Sequence, residues 1–152
     1  MSGMASFGIL LIRAIVGAVF VFHGSQKLFG WFGGPGMEAF TAHIANMGLP
    51  GGVPPQYLAY AAAISEFGGG ILLILGLITP IAAICIAATM AVAVFKVHGH
   101  AFALANDPPG MEYALTLGVV ALGLVFTGAG RISLDALMPW GRNRAKSNKK
   151  SE

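Results

Sequence analysis

Residues 7–28 read FGILLIRAIVGAVFVFHGSQKL, an apolar run that Arg13 alone interrupts before its polar end. A helix needs about 20 predominantly apolar residues to cross the hydrocarbon core of a bilayer. In lipid every backbone polar group must be bonded within the protein, so a run of this length and character predicts a membrane-spanning helix. The alternation of period two that is typical of membrane barrels is absent.

The rest of the chain has the same character. Of its 152 residues, 56% are hydrophobic and 10% are charged, against about 25% charged in an average soluble domain. This composition excludes a disordered chain, a nucleic-acid-binding module and a typical cytosolic enzyme. Three further apolar runs, at about residues 57–78, 81–97 and 111–129, predict an all-α integral membrane four-helix bundle within residues 1–137. The lipid bilayer is therefore its first partner.

The segment between the first two runs predicts a short amphipathic helix at the membrane surface. Four apolar residues recur at i, i+3, i+7 and i+10 and share one helical face, whereas Glu38 and Asn46 lie off that face: Met37, Phe40, Ile44 and Met47. Gly48 and Pro50 then stop the helix. The alternative is a loop packed over the end of the bundle.

The C-terminal tail, residues 138–152, predicts the orientation of the bundle. It carries five basic residues, Arg142, Arg144, Lys146, Lys149 and Lys150, and the positive-inside rule places such a tail in the cytoplasm. Four spans then put both termini on the cytoplasmic side, although Lys27 and Lys96 at the outer helix ends mildly oppose this orientation.

Ionisable side chains of all four predicted spans fall toward the outer end. They are His23, Lys27, Glu66, Lys96 and Glu112, and such groups inside a span are usually functional or paired. The stripes Cys85–Thr89–Lys96 and Glu112–Thr116–Gly123 are expected to face the bundle axis. Arg13 is interpreted as an anchor at the inner surface, and Cys85 as a small core residue.

A quinone suits this cluster better than a metal ion does. A quinone head group needs an apolar cleft, hydrogen-bond donors and a proton carrier. We predict a quinone pocket of His23, Lys27, Lys96 and Glu112, with Glu66 and His23 as a proton relay. Glu66 could equally serve only as the structural partner of Lys27, Lys96 or His23. The spacing of the histidines and acids is weak evidence for a metal site, no haem, flavin or metal motif is visible, and the single Cys excludes an intrachain disulfide.

Several stretches resemble the DoxX family. The long, specific one is FHGSQKLFGWFGGPG at residues 22–36, preceded by Arg13; the others are EFGGG at 66–70, LGL at 75–77, EYAL at 112–115 and GAGRISLD at 128–135. The resemblance implies a small four-helix protein of the bacterial plasma membrane, similar to a subunit of a thiosulfate:quinone oxidoreductase. It also implies other redox subunits or a homo-oligomer as partners. In the closing motif, Arg131, Ser133 and Asp135 are interpreted as capping and anchoring residues.

Three functions compete at this point. The first is a membrane subunit of, or accessory to, a quinone-linked oxidoreductase system, with a polar site at the outer end of the bundle. The second is a structural or assembly subunit whose polar cluster only holds the helices together. The third is a small transporter, which would need oligomers because four short helices leave little room for a path. Sequence alone identifies neither the substrate nor whether the chain is catalytic by itself.

Overall fold

A computed structural model describes residues 2–49, 51–107 and 109–138, and this part of the chain is helical without strands. The predicted basic residues of the tail lie outside the described residues. A 3₁₀ turn at Trp31–Gly33 follows the first helix, and a π-helical turn at Ala93–Val97 extends the fourth. The α-helices are α1 Gly3–Phe29, α2 Gly36–Asn46, α3 Pro55–Leu75, α4 Thr79–Val92, α5 Glu112–Thr127 and α6 Leu134–Leu137.

The helices confirm the prediction of a helical membrane bundle. Within the described residues, α1, α3 and α4 with its π-helical turn are long and apolar enough to cross a membrane. The helix α5 is apolar but only 16 residues long, so the four-span arrangement stays a prediction. The helix α4 begins at Thr79 rather than near Ile81, because Pro80 fits the first helical turn, where a backbone N–H has no intrahelical partner.

Glycines allow α1 and α3 to lie against each other along much of their length. A methyl group added at Gly24 would lie 2.4 Å from the backbone nitrogen of Phe67, and one added at Gly17 would lie 2.7 Å from the carbonyl oxygen of Gly70. Small residues at such positions let helix backbones approach closely in a membrane. This contact sets the register that brings the polar end of α1 against α3.

The four long helices share one apolar interior and expose an apolar exterior. The core runs from Val16 and Phe20 of α1 through Leu73 and Ile86 to Leu117 of α5. Large apolar side chains also cover the outside of the helices, among them Phe7, Ile15, Ile81, Val119 and Phe126. Because a soluble protein rarely exposes contiguous apolar surface on this scale, the exterior of the bundle is suited to lipid.

The helix α2 packs on the bundle through the predicted apolar face. Phe40 and Ile44 are buried against Ala59 and Ala63 of α3, and Met37 and Met47 pack beside them. Glu38 and Asn46 are exposed, as predicted. The helix and its amphipathic face are therefore confirmed, but the apolar face is covered by α3 and the end of α1 and not by lipid, because Ala59 and Ala63 of α3 offer a flat apolar seat.

Candidate functional site at the α2 end of the bundle

An ion pair joins α1 to α3 at the end of the bundle that α2 covers. Nζ of Lys27, in the last turn of α1, donates a hydrogen bond to Oε2 of Glu66 on α3. The Glu66 side chain is 3% exposed and that of Lys27 is 23% exposed. Of the three cationic candidates for a structural partner of Glu66, the one that binds it is Lys27. A buried carboxylate without such a partner would be costly.

The aromatic ring of Phe40 covers the ion pair from α2. The ammonium of Lys27 lies 5.2 Å from the centroid of the Phe40 ring, within the range of a cation–π contact. Phe40 is 9% exposed and belongs to the cluster that seats α2 on α3. Helical spacing predicts that Phe40 lies on the apolar face of α2, but its contact with Lys27 follows only from the packing of α2 against α1.

His23 contacts Gln26 of its own helix and Tyr113 of α5. Its Nδ1 lies 3.2 Å from Oε1 of Gln26, and its ring centroid lies 6.2 Å from that of Tyr113. No described hydrogen bond joins His23 to Glu66, so a relay between them stays a prediction. Across the helix interface, the neighbour of His23 is Tyr113. The position of Tyr113 beside Glu112 at the start of α5 is the sequence feature that could have marked it as a site residue.

A shallow open groove of about 340 Å³ lies beside this aromatic pair. Glu112, Tyr113 and Thr116 of α5 line it together with Phe102 and Leu104 from the preceding loop. The loop is held in place by backbone bonds, including the N–H of Glu112 to the carbonyl oxygen of Phe102 at 2.9 Å. Apolar walls and an acidic and a phenolic group at its rim make the groove the candidate ligand site.

The structure does not bring all four predicted pocket residues together. Lys27 is engaged by Glu66, whereas Glu112 lines the groove next to Tyr113. Lys96 is exposed on the π-helical turn, and no hydrogen bond or ion pair of its side chain occurs among the described residues. The described part of the chain also holds no group of three His, Cys, Asp or Glu side chains able to bind a metal ion.

Two predicted interior stripes face outward instead. Cys85 and Lys96 are exposed, as are Thr116 and Gly123, and the remaining members Thr89 and Glu112 are only partly buried. The expectations that these stripes line the bundle axis and that Cys85 is a core residue were therefore wrong. In a membrane helix the lipid-facing side is as apolar as the interior, so a small or weakly polar residue does not by itself mark the inner face.

The opposite end of the bundle is held by Arg13, which is 1% exposed and not the surface anchor that the sequence suggested. Its Nε donates to the carbonyl oxygen of Leu73 at 2.9 Å. Its Nη atoms donate to the carbonyl oxygens of Ile74, Ala129 and Ile132. The guanidinium therefore ties the last turn of α3 to the segment that follows α5. A single arginine within an apolar run does not predict which carbonyl groups will accept its hydrogen bonds.

The predicted capping by the closing motif is confirmed at this same end. Ser133 is the N-cap of α6 and its Oγ accepts a hydrogen bond from the N–H of Ala136. The carboxylate of Asp135 accepts hydrogen bonds from the N–H groups of Ile78 at 2.8 Å and Thr79 at 3.0 Å. Asp135 thereby caps the start of α4 and supports Ile78, whose φ of 43° is unfavourable for a β-branched residue.

The chain matches a family model and several bacterial proteins. The DoxX model matches residues 8–99. The protein named "Putative oxidoreductase CatD" of Bacillus subtilis is 31% identical over 84% of both chains. A protein of Haemophilus influenzae is 36% identical over 82% of this chain and 85% of its own. The inner membrane protein YqjF of Escherichia coli is 29% identical over 91% of this chain and 97% of its own.

No solved structure matches the chain. The family model nevertheless covers more than half of the chain, and the CatD alignment covers most of its length. The match begins in α1 and extends past the π-helical turn, so it includes the Lys27–Glu66 pair and the glycine contact between α1 and α3. With its apolar helices, this protein is a bacterial membrane protein that belongs to the DoxX family.

Proposed function

We propose that the protein is a membrane component of a quinone-linked oxidoreductase system. The observation that carries the proposal is the groove at the α2 end, where apolar walls meet Glu112 and Tyr113 and where His23 lies against Tyr113. The DoxX family and the name of the CatD relative support a link to oxidoreductase activity. The partners in this proposal are other redox subunits or further copies of the chain.

The residues of the groove fit a quinone head group. A bound quinone would supply two-electron redox chemistry with uptake of two protons. Phe102 and Leu104 would cover the apolar ring, and the Tyr113 hydroxyl would donate a hydrogen bond to one of its oxygens. His23 would stand behind Tyr113, whose ring it approaches. The Glu112 carboxyl would hold or deliver a proton at the rim. Lys27 and Lys96 do not line the groove.

The Lys27–Glu66 pair has a separate place in this proposal. Glu66 is buried and bonded to Lys27, so it would carry protons only if the pair separates. We therefore assign the direct contacts to Glu112 and Tyr113, with His23 as the neighbour of Tyr113. Glu66 would then carry protons only after the ion pair separates, and the variants Glu66→Gln and Glu66→Leu measure this contribution.

The orientation is part of the proposal. We propose a multi-pass protein of the plasma membrane with both termini cytoplasmic and the groove at the outer face. The charge of the tail supports this orientation by the positive-inside rule. The packing agrees with it, because Gly130, after α5, lies close to Ser6 and Ile9 of α1, so both ends of the described chain meet at one end of the bundle.

A structural or assembly subunit is the second candidate. The observation that favours it is that the buried charges are already paired, Glu66 with Lys27 and Arg13 with backbone carbonyl groups. Under this alternative the groove holds only lipid, and the polar contacts serve the helix packing alone.

Quinone retention separates the two candidates. The protein would be purified in nanodiscs that contain quinone, and bound quinone would be measured by mass spectrometry for wild type, Tyr113→Phe and Glu112→Gln. The matched control is Glu38→Gln, on the exposed side of α2. We expect about one quinone per chain in wild type and in the control, and at least a several-fold loss in the two groove variants.

Equal retention in all four proteins, or wild-type retention no higher than that of an unrelated membrane protein, would refute the quinone proposal. Glu66→Gln and Glu66→Leu complete the series. If Glu66 only holds the bundle, Glu66→Gln retains quinone in proportion to folded protein. If Glu66 carries protons, Glu66→Gln folds but loses redox-linked activity.

A further inference from the structure

The helix α2 is attached to the bundle by one small apolar seat. Phe40 and Ile44 are its buried side chains, and they rest on Ala59 and Ala63 of α3. The other side of α2 is exposed. Met37 and Met47 pack at the edge of this seat and are only partly buried.

Glycines with positive φ adjoin both ends of α2. Gly36 at its start has φ 67° and Gly48 after its end has φ 57°. Both are backbone conformations that other residues adopt only with strain, and no side chain at either position restrains the neighbouring chain. These two glycines are therefore the positions where rotation at the ends of α2 would be least hindered by side chains.

The ion pair lies directly beneath this helix. Glu66 holds the ammonium of Lys27, and the ammonium lies under the ring of Phe40. Phe40 is the residue that α2 contributes to both the apolar seat and the contact with the charge. The position of the cation and the closure of α2 are therefore mechanically linked through one side chain.

We propose that α2 is a hinged lid over the Lys27–Glu66 pair, and that the pair holds the lid closed through the cation–π contact with Phe40. Opening of the lid exposes the buried carboxylate of Glu66 to water and increases the exposure of Lys27, which is partly exposed already. The use of that access for proton supply rests on the proposed function, whereas the lid and its coupling to the pair do not.

Hydrogen exchange of the backbone amides tests the lid. The exchange of α2 would be compared with that of α3 in wild type, Phe40→Leu and the double variant Lys27→Met/Glu66→Gln, which removes the pair without leaving a lone buried charge. Phe7→Leu, an exposed aromatic residue of α1, is the matched control. Loss of a cation–π contact should shift the opening equilibrium of α2 by about 2- to 30-fold.

We expect exchange in α2 to accelerate by that factor in the double variant and by at least that factor in Phe40→Leu, which also loses apolar packing, with α3 and the Phe7→Leu control unchanged. The triple combination should accelerate no further than Phe40→Leu, because that change already removes the contact. In Phe40→Leu, acylation of Lys27 by a membrane-impermeant amine reagent should also rise relative to acylation of Lys96, which is exposed in any case.

Unchanged exchange of α2 in both variants would overturn the proposal, as would a parallel acceleration of α2 and α3, which indicates loss of structure at the whole bundle end. If the double variant does not fold, Phe40→Leu decides the question, because it leaves both charges in place. None of these readouts uses quinone. If α2 responds as expected in a protein that retains no quinone, the lid is supported and the proposed function is contradicted. If the protein retains quinone but α2 does not respond, the proposed function is supported and the lid is contradicted.

Discussion

Replacement of Arg13 by methionine tests the clamp at the end of the bundle opposite α2. Methionine keeps an unbranched apolar stem of similar length but removes the guanidinium. The variant loses the bonds from Nε to Leu73 at 2.9 Å and from the Nη atoms to Ile132 at 3.2 Å and Ile74 at 3.4 Å, together with the bond to Ala129. We expect a marked loss of stability with the helices themselves retained.

The size of this loss of stability depends on whether the four carbonyl oxygens find other hydrogen-bond donors once Arg13 is replaced. A hydrogen bond to a charged group contributes about 1.5–3 kcal/mol, so four independent bonds would contribute about 6–12 kcal/mol. The carbonyl oxygen of Leu73 keeps a second bond, from the N–H of Gly76 at 3.1 Å, and loss of the buried charge removes its desolvation cost. We therefore expect a destabilisation of about 3–5 kcal/mol, below that sum and at the upper end of what single substitutions cause.

Reversible unfolding in mixed detergent micelles measures this loss. The matched control is Arg131→Met, which removes the same group from an exposed position near the clamp and should change the free energy of unfolding by less than about 0.5 kcal/mol. If Arg13→Met and Arg131→Met unfold within about 1 kcal/mol of each other, the reasoning on the clamp is wrong.

Three further predictions concern other parts of the fold. Gly24→Ala should destabilise the protein by about 1–3 kcal/mol or more, because its methyl group meets backbone atoms of α3; Gly8→Ala on the same helix, with nothing within 4 Å, should be neutral or stabilising in the same assay. Asp135→Ala should cost about 0.5–2 kcal/mol through loss of the cap on α4, and Asp135→Asn, which keeps one acceptor, should cost less; equal losses would contradict the capping role. Reporter fusions after Glu152 and within residues 51–53 should report the cytoplasmic and the outer side, respectively, and an outer signal from the C-terminal fusion would reverse the proposed topology.

The contact of Glu66 shows how far sequence reasoning reaches in a membrane bundle. Helix rise places Glu66 at a depth shared by three cations, and the cost of an unpaired buried carboxylate predicts that one of them must bind it. The choice of Lys27 follows from the approach of α1 to α3 through Gly17, Gly24 and Gly70. Lys96 lies at a similar depth on a helix whose rotation turns it outward.

The rotation of α4 and α5 could not be predicted for a related reason. In a soluble bundle the contrast between water and core marks the inner face of each helix. Lipid removes that contrast, so the exposed Cys85 and Thr116 do not differ in hydrophobicity pattern from interior positions. Only the fit of neighbouring side chains decides which face is covered.

Apolar run length by itself determined that this protein is a helical membrane protein, since backbone groups in lipid have no other way to be satisfied. Residue spacing likewise determined the amphipathic face of α2. The closing motif at residues 128–135 determined the capping by Ser133 and Asp135. Tertiary structure alone decided that α2 covers an ion pair instead of lying on lipid, and that Arg13 is a buried clamp. Both depend on which chain segments meet at each end of the bundle, and this follows from the packing of small and large side chains between helices that are distant in sequence.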